Sequence, residues 1–327
     1  MAKLTKLCNK GQEKSAGFAY HVSSEGDEED MEWMEMIQRA VCYMEAHIME
    51  DINYGDVAKH VHMSEYEFHR AFSFLSGMTA NAYIRSRRLS LAGQELQETE
   101  EKVIDIALKY GYETPESFTK AFTRFHGVAP KYARKQGIKL SLFQPLAIKI
   151  IMEGGKKMEY RIEQAGERKF IAIVRTFSNE TINDEESHEI PDFWDECRNE
   201  ERMEALLSLR PEGKRDIYGL CSPTRDGEKT FDYGIGVLAD GDTLAWDESI
   251  LKERGYRIWD VSPQMYAVFQ CIGEDGSCIG EMWERFYKEF LPQVGYEVVE
   301  ATDYEVYFEN GQPGVFCELW IPVKKKQ

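Results

Sequence analysis

Cysteine is sparse in this 327-residue chain, and its spacing excludes two kinds of protein. The seven residues, Cys8, Cys42, Cys197, Cys221, Cys271, Cys278 and Cys317, are odd in number and contain no C-x-x-C pair. A disulfide framework and a structural zinc are therefore not expected, and reduced thiols in a cytoplasm are. No window approaches the ~18 consecutive apolar residues of a membrane span. The opening MAKLTKLCNKGQEKS lacks the apolar core of a signal peptide, so none is expected. Histidine is nearly absent from the C-terminal half, where only His188 occurs. Ser-His-Asp order, H-E-x-x-H and a glycine-rich phosphate loop are missing too, so no cofactor and no metal site is expected.

One further absence is local. From Ser117 to Met152 there is no Asp or Glu, although the chain carries a net charge of -18. The same stretch holds Lys120, Arg124, Lys131, Arg134, Lys135, Lys139 and Lys149. Residues 31–150 have 15 basic and 15 acidic side chains, whereas residues 151–327 have 21 and 37. A neutral module with a basic end, joined to an acidic one, suggests a polyanion-binding part beside a part with another task. At 43% hydrophobic and 12% aromatic, the chain can bury about two cores.

Residues 1–30 end in SSEGDEED and show no apolar period, which predicts a mobile extension. From Met31 onward, Trp33, Ile37, Ala40, Val41, Met44 and Ile48 recur at helical spacing. A short helix, DVAKHVHM, follows. Ser64 with Glu67 then forms a capping-box pattern that opens a helix closed by Gly77. A longer helix is predicted from about Asn81 to Glu98. After VIDIALKYGYE, Thr114 caps another helix with Pro115 at its first position, and Phe118, Ala121, Phe122 and Phe125 form its buried stripe.

The segments DVAKHVHMSEYEFHRAFSFLSGMTANAYIR and DIALKYGYETPESFTKAFTRFHGVAPKYAR thus repeat one unit about 50 residues apart. Residues 31–140 resemble the DNA-binding domain of AraC-type transcription regulators. The second copy matches that family's A-x-x-x-G-Y…F-x-x-x-F…G-x-x-P-x-x-Y-x-R signature nearly position for position. The resemblance implies two helix-turn-helix units that place their recognition helices in successive major grooves of duplex DNA. The 81–98 helix, ~27 Å at ~1.5 Å per residue, is comparable with the ~34 Å between such grooves. With the Phe stripes buried, the opposite faces would present Tyr66, His69 and Arg70 in the first unit. In the second they would present Glu116, Ser117, Lys120 and Arg124. Arg70 and Lys120 are the best base-readers, through guanine O6 and N7. Arg85, Arg87, Arg88, Lys131, Arg134 and Lys135 are expected at phosphates.

The β-branched AIKII and Gly154-Gly155 mark a linker at 141–157. Beyond it the chain repeats again. A Tyr-Arg-Ile strand, an apolar strand, a Trp-bearing helix and two more strands occur first from Tyr160 and then from Tyr256. This predicts an α+β domain of two β-α-β-β halves over 158–327. The layout, with its closing CELWIPV, resembles the GyrI-like effector-binding domain, and the whole chain resembles the arrangement of Rob-like regulators. What this implies is a groove for a lipophilic, often cationic, small-molecule effector, with RNA polymerase as a further partner of the regulator. Period two in the last strand places Phe316, Glu318 and Trp320 on one face. A carboxylate between aromatics suits a bound cation, and Trp194, Trp283 and Tyr304 are added as candidate ligand-binding residues. Two other readings stay open. In one, the C-terminal domain is a hydrolase of strained electrophiles with Glu318 as base. In the other it is an acidic protein-interaction module.

Overall fold

The computed structural model describes residues 26–135, 137–146, 158–178, 189–199, 201–223, 230–239 and 248–326. Most of the expected N-terminal extension, most of the 141–157 linker, and Lys149, His188 and Cys8 lie outside these residues. Among the described residues, seven helices come first: α1 (Gly26–Ala46), α2 (Tyr54–His60), α3 (Glu65–Ser76), α4 (Ala80–Glu98), α5 (Val103–Lys109), α6 (Pro115–His126) and α7 (Pro130–Ala133). The chain forms two compact units, and they do not follow sequence order. Residues 1–62 group with 83–150, and residues 63–82, which include α3, group with 151–327.

In the first unit the caps do what their side chains allow. Thr114 Oγ1 accepts from the Ser117 N–H at 3.2 Å, with Pro115 at the first helical position, and Gly127 closes α6 at φ 75°. A left-handed closing residue favours glycine because it has no Cβ to clash. Phe118, Ala121 and Phe122 are buried against Leu89, Ala92 and Leu96 of α4 and Ile106, Ala107 and Tyr110 around α5. The stripe read from the sequence is thus the core of this unit.

Among the described residues, the second unit is built on nine antiparallel strands: β1 (Tyr160–Ala165), β2 (Arg168–Ser178), β3 (Ile217–Cys221), β4 (Thr230–Ala239), β5 (Arg257–Val261), β6 (Gln264–Ile272), β7 (Tyr296–Val298), β8 (Asp303–Tyr307) and β9 (Val315–Lys325). Eight run in the order β1-β6-β9-β8-β3-β4-β2-β5, and short β7 pairs with the end of β9. The order is symmetric about the β8–β3 seam. The first strand of each half pairs with the second strand of the other, so neither half closes alone. Helices α8 (Glu189–Asn199), α9 (Glu201–Ser208) and α10 (Glu248–Glu253) lie in the first half and its connection. The second half has α11 (Ser277–Arg285), which continues as a π-helical turn, Phe286–Phe290.

Alternation gives the sheet two faces. On one, Ile171, Ile173, Tyr233, Ile235 and Val237 pack under Phe193, Trp194, Met203 and Leu206 of α8 and α9. Phe269 of β6 meets Phe286 and Phe290 of the π-helical turn on this same face. On the other face, Phe170, Tyr218, Tyr266, Tyr304, Val306 and Trp320 form a single cluster with Ala165 and Val261 from the two edge strands. A sheet whose opposite edges feed one cluster is strongly coiled.

Candidate DNA-reading and effector-binding sites

Helix α6 presents the expected side chains outward. Glu116, Ser117, Thr119, Lys120, Thr123 and Arg124 are all exposed, as are Arg85 and Lys131. Lys131 and Lys135 flank the Tyr132 ring, with Nζ 4.8 and 4.6 Å from its centroid. Two expected phosphate contacts are otherwise engaged. Arg88 Nε donates to the Ile48 carbonyl at 2.7 Å, and Arg134 Nε donates to the carbonyls of Leu96 and Thr99 at 3.1 and 3.0 Å. Both guanidiniums satisfy carbonyls at or just beyond helix ends, where no intrahelical donor remains. Arg87 is buried, bonded to both oxygens of Glu45 at 2.7 and 2.9 Å. Sequence reasoning cannot separate such an arginine from a surface one, because the partner lies about 40 residues away.

The first helix-turn-helix unit departs most from expectation. Tyr66, His69 and Arg70 do not form an open face. Tyr66 and His69 are 4% and 6% exposed, and the Arg70 side chain is 12% exposed. Helix α3 lies on the helix-bearing face of the sheet, within the second unit. Arg70 pairs with Asp303 of β8, and Tyr66 Oη donates to Asp303 Oδ2 at 2.9 Å. The Arg70 guanidinium carbon lies 3.8 Å from the Trp283 ring centroid. Phe74, one turn further along α3, stacks on the same indole at 5.4 Å and 13°. Burial works against the Arg70 charge, but Asp303 and Tyr66 more than offset it and hold the guanidinium protonated. Burial, with Asp303 opposing ionisation and Arg70 favouring it, pushes the Tyr66 hydroxyl well above its ordinary range.

Beside this pair runs a second buried polar chain. Trp194 Nε1 donates to Tyr233 Oη at 3.0 Å, and Tyr233 Oη donates to Glu305 Oε2 at 2.7 Å. Burial pushes the Glu305 carboxyl up to about 8, against the pull of the Tyr233 hydrogen bond. Gly219 makes this approach feasible, since a Cβ there would sit 1.9 Å from Glu305 Oε2 and 2.3 Å from Tyr233 Oη. Asp303, Glu305 and Tyr233 are not among the site residues expected from the sequence. The available signal was DYEVY, in which two acids alternate with apolar side chains in a strand with no reason to expose them.

The six expected ligand residues do not converge. Trp194 and Trp283 lie on the helix-bearing face, and Tyr304 and Trp320 stack on the other at 5.3 Å and 20°. Phe316 does not share a face with Glu318 and Trp320, because β9 carries a bulge. Cys271 pairs with Cys317, and Ile272 pairs with Val315, so Phe316 is the additional residue. A bulge breaks period two, and Phe316 meets Tyr307, 5.6 Å away, which also contacts Trp194 at 5.1 Å.

Glu318 is not the unpaired carboxylate expected. Arg161 of β1 holds it bidentately at 2.7 and 2.6 Å, and Trp320 Nε1 adds a bond at 3.3 Å. The cation positions over Trp320 are filled by Arg168 at 4.9 Å and Arg161 at 5.6 Å. These groups border a cavity of about 790 Å³ that Lys169, Lys214, Glu167 and Asp216 also line, so its charges are mixed. No residue cluster of metal-ligand type occurs among the described residues, and no described helix is long and apolar enough to cross a membrane.

Comparison with known proteins agrees with this architecture. Residues 57–136 match the helix-turn-helix domain family, and residues 161–323 match the integron-associated effector binding protein family. The chain is 30% identical over 309 residues to the right origin-binding protein of Escherichia coli, covering 89% of this chain and 98% of that one. It is 35% identical over 100 residues to the uncharacterized regulator YbfP of Bacillus subtilis, covering 31% of this chain and only 34% of that protein's length. Among solved structures, SAV2435 bound to tetraphenylphosphonium is 25% identical over 51% of this chain and 94% of that one, with a TM-score of 0.40. The chain belongs to the family of the right origin-binding protein, the AraC-type helix-turn-helix transcription regulators that carry a GyrI-like effector-binding domain.

Proposed function

We propose that the protein is a cytoplasmic regulator that reads duplex DNA and answers to a lipophilic organic cation bound on the helix-bearing face of its sheet domain. The functional division follows the sequence, with DNA contacts in 31–140 and effector contacts in 158–327. One observation carries the choice of ligand. The cleft already holds a cation, the Arg70 guanidinium, over the Trp283 ring and against Asp303. A planar delocalised charge on an indole with a carboxylate behind it is the environment an aromatic or quaternary cation selects. Trp194, Tyr233, Glu305 and Tyr307 extend that surface.

Lys120 and Arg124 are the exposed donors best placed on α6 for base edges, with Arg85 and Lys131 at phosphates. Contact with RNA polymerase belongs to the same reading. The hydrolase alternative has less support, because both Glu318 oxygens are engaged by Arg161 and neither is open to take a proton from water. Calorimetric titration of the full chain with tetraphenylphosphonium tests the effector reading. Binding that Trp283→Ala abolishes supports it, and heat unchanged by that substitution refutes it.

A further inference from the structure

We infer that helix α3 is the resting occupant of the effector cleft, so that a cationic effector and Arg70 compete for one site and the effector releases a DNA-reading helix. The inference rests on the effector reading above and assigns its regulation.

Four observations carry it. First, Tyr66, Arg70 and Phe74 stand four residues apart, so they form one stripe along α3. All three enter the cleft: Tyr66 on Asp303, Arg70 on Asp303 and Trp283, and Phe74 on Trp283 and Tyr287. The stripe supplies hydroxyl, cation and aromatic ring, the groups an amphiphilic organic cation would bring.

Second, the places are mutually exclusive. The Asp303 side chain is 3% exposed beneath Arg70, and the guanidinium and Phe74 both lie against the Trp283 ring. A second cation has no access to that carboxylate until Arg70 withdraws.

Third, α3 is the recognition helix of the first helix-turn-helix unit, fifty positions before its counterpart α6 in the repeat. Ser64 and Thr114 cap the two helices, and Gly77 and Gly127 close them. Yet α6 exposes Lys120 and Arg124, whereas α3 turns Tyr66, His69 and Arg70 inward. A side chain held on Asp303 cannot reach a base edge, so the docked helix is silent toward DNA.

Fourth, α3 is self-contained. Its ends are capped by its own neighbours, and residues with positive φ bracket it, His62 at 60° and Gly77 at 73°. Short pivots at element ends are where a segment swings without unwinding.

The cost of a closed state follows from population arithmetic. If α3 is docked in about 90–99% of molecules, DNA affinity falls by about 10- to 100-fold, and a ligand restores it only as far as its preference for the open cleft allows.

Three measurements on the 327-residue chain decide the matter. Hydrogen exchange of residues 64–77 is followed with and without tetraphenylphosphonium chloride. Binding of the same cation is titrated to parent and Arg70→Ala. Affinity for a duplex recovered by in vitro selection is compared between parent and Asp303→Asn. We expect exchange in α3 to speed up about tenfold with the cation, Arg70→Ala to bind it about tenfold more tightly, and Asp303→Asn to bind DNA about tenfold more tightly without it. A merely structural Arg70 predicts the reverse for the second result, weaker binding to a damaged site. If the cation binds the parent while α3 stays protected and Arg70→Ala gains nothing, the competition is refuted and the effector reading survives. If it binds neither protein, the effector reading fails and takes this inference with it. Should Arg70→Ala not fold, exchange in the parent decides alone.

Discussion

Arg161 of β1 and Glu318 of β9 meet across the intervening β6 as a two-pronged pair, with N–O distances of 2.7 and 2.6 Å. The carboxylate is 8% exposed and the arginine 42%, so the pair is asymmetric: one member is held inside and the other is reached by water. Removing the outer partner strands the inner charge. Arg161→Ala should destabilise the domain by about 1–3 kcal/mol in urea unfolding, because a buried charge without its partner is costly. Arg161→Ala with Glu318→Gln should recover part of that loss. An additive double variant would show that the two side chains do not act on each other.

Lys120→Ala and Arg134→Ala should fail in different ways, although both lie in the acid-free stretch. Lys120 is exposed on α6, so its loss should relax sequence preference by about 1–3 kcal/mol at one base pair. Arg134 satisfies the carbonyls of Leu96 and Thr99, so its loss should lower the melting temperature and leave the salt slope of DNA binding unchanged. Competition binding against random duplex, beside a thermal melt, separates them. A salt slope reduced by Arg134→Ala would restore it as a phosphate contact.

Stability should pass through a maximum on the acid side of neutrality. Burial pushes Glu67 up to about 7, with Glu297 and Glu300 adding to the shift and Lys324 opposing it. Burial raises Glu305 to about 8, with Asp303 adding to the shift and Tyr233 and Arg70 opposing it. A carboxyl with a raised folded value takes up a proton on folding, so stability falls as pH climbs from about 4.5, its ordinary value, through about 7 for Glu67 and about 8 for Glu305. His69 has the opposite sign. Burial, with Arg70 beside it, holds its ring down to about 4, so its own contribution to stability is lost as pH drops from about 6.5 toward 4. Between about 4.5 and 6.5 His69 offsets only one of the two carboxyls, so net stability still falls with rising pH there and the maximum lies near 4.5. A series of melts from pH 4 to 9 should show this shape, and Glu67→Gln should flatten its alkaline side. An alkaline limb unchanged in Glu67→Gln would remove Glu67 as its cause.

Gly219→Ala should break the Tyr233–Glu305 bond without unfolding the sheet. The intruding Cβ meets two side-chain ends rather than backbone, so they can move apart, at a cost of about 1–3 kcal/mol for the separated polar groups. The loss should appear as a lower melting temperature of the variant. Wild-type stability in this variant would mean that the two groups never needed that proximity.

The two repeats were legible because each rests on local chemistry. The cap at Thr114 with Pro115, the closing Gly127 and the Phe118–Phe122 stripe specify α6 within a dozen residues. The β-α-β-β halves were readable in the same way, from strand alternation and the recurrence of Tyr160 in Tyr256. What local pattern could not reveal is which of two exposed-looking stripes has a partner far along the chain. Arg70 and Lys120 occupy comparable places in their repeats, yet one meets an aspartate 233 residues away. The capping box expected at Ser64 shows the same limit. Ser64 accepts from the Glu67 N–H at 3.2 Å, but the Glu67 carboxyl lies in the field of Glu297, Glu300 and Lys324. Glu318 failed for a related reason, since nothing near it in sequence announces Arg161.

The bulge at Phe316 changes what kind of mutation is mild there. At most positions in a strand, deletion is harsher than substitution, because losing one residue slips the register and turns every later side chain to the wrong face. Here the ladder already steps from Cys271–Cys317 to Ile272–Val315 without using Phe316. Removing that residue would join two pairs that are already in register, leaving Glu318 and Trp320 where they are and losing chiefly the contact with Tyr307. In the history of the chain Phe316 therefore has the character of an insertion, and one-residue length variation among relatives should collect at this point of the strand rather than elsewhere in it.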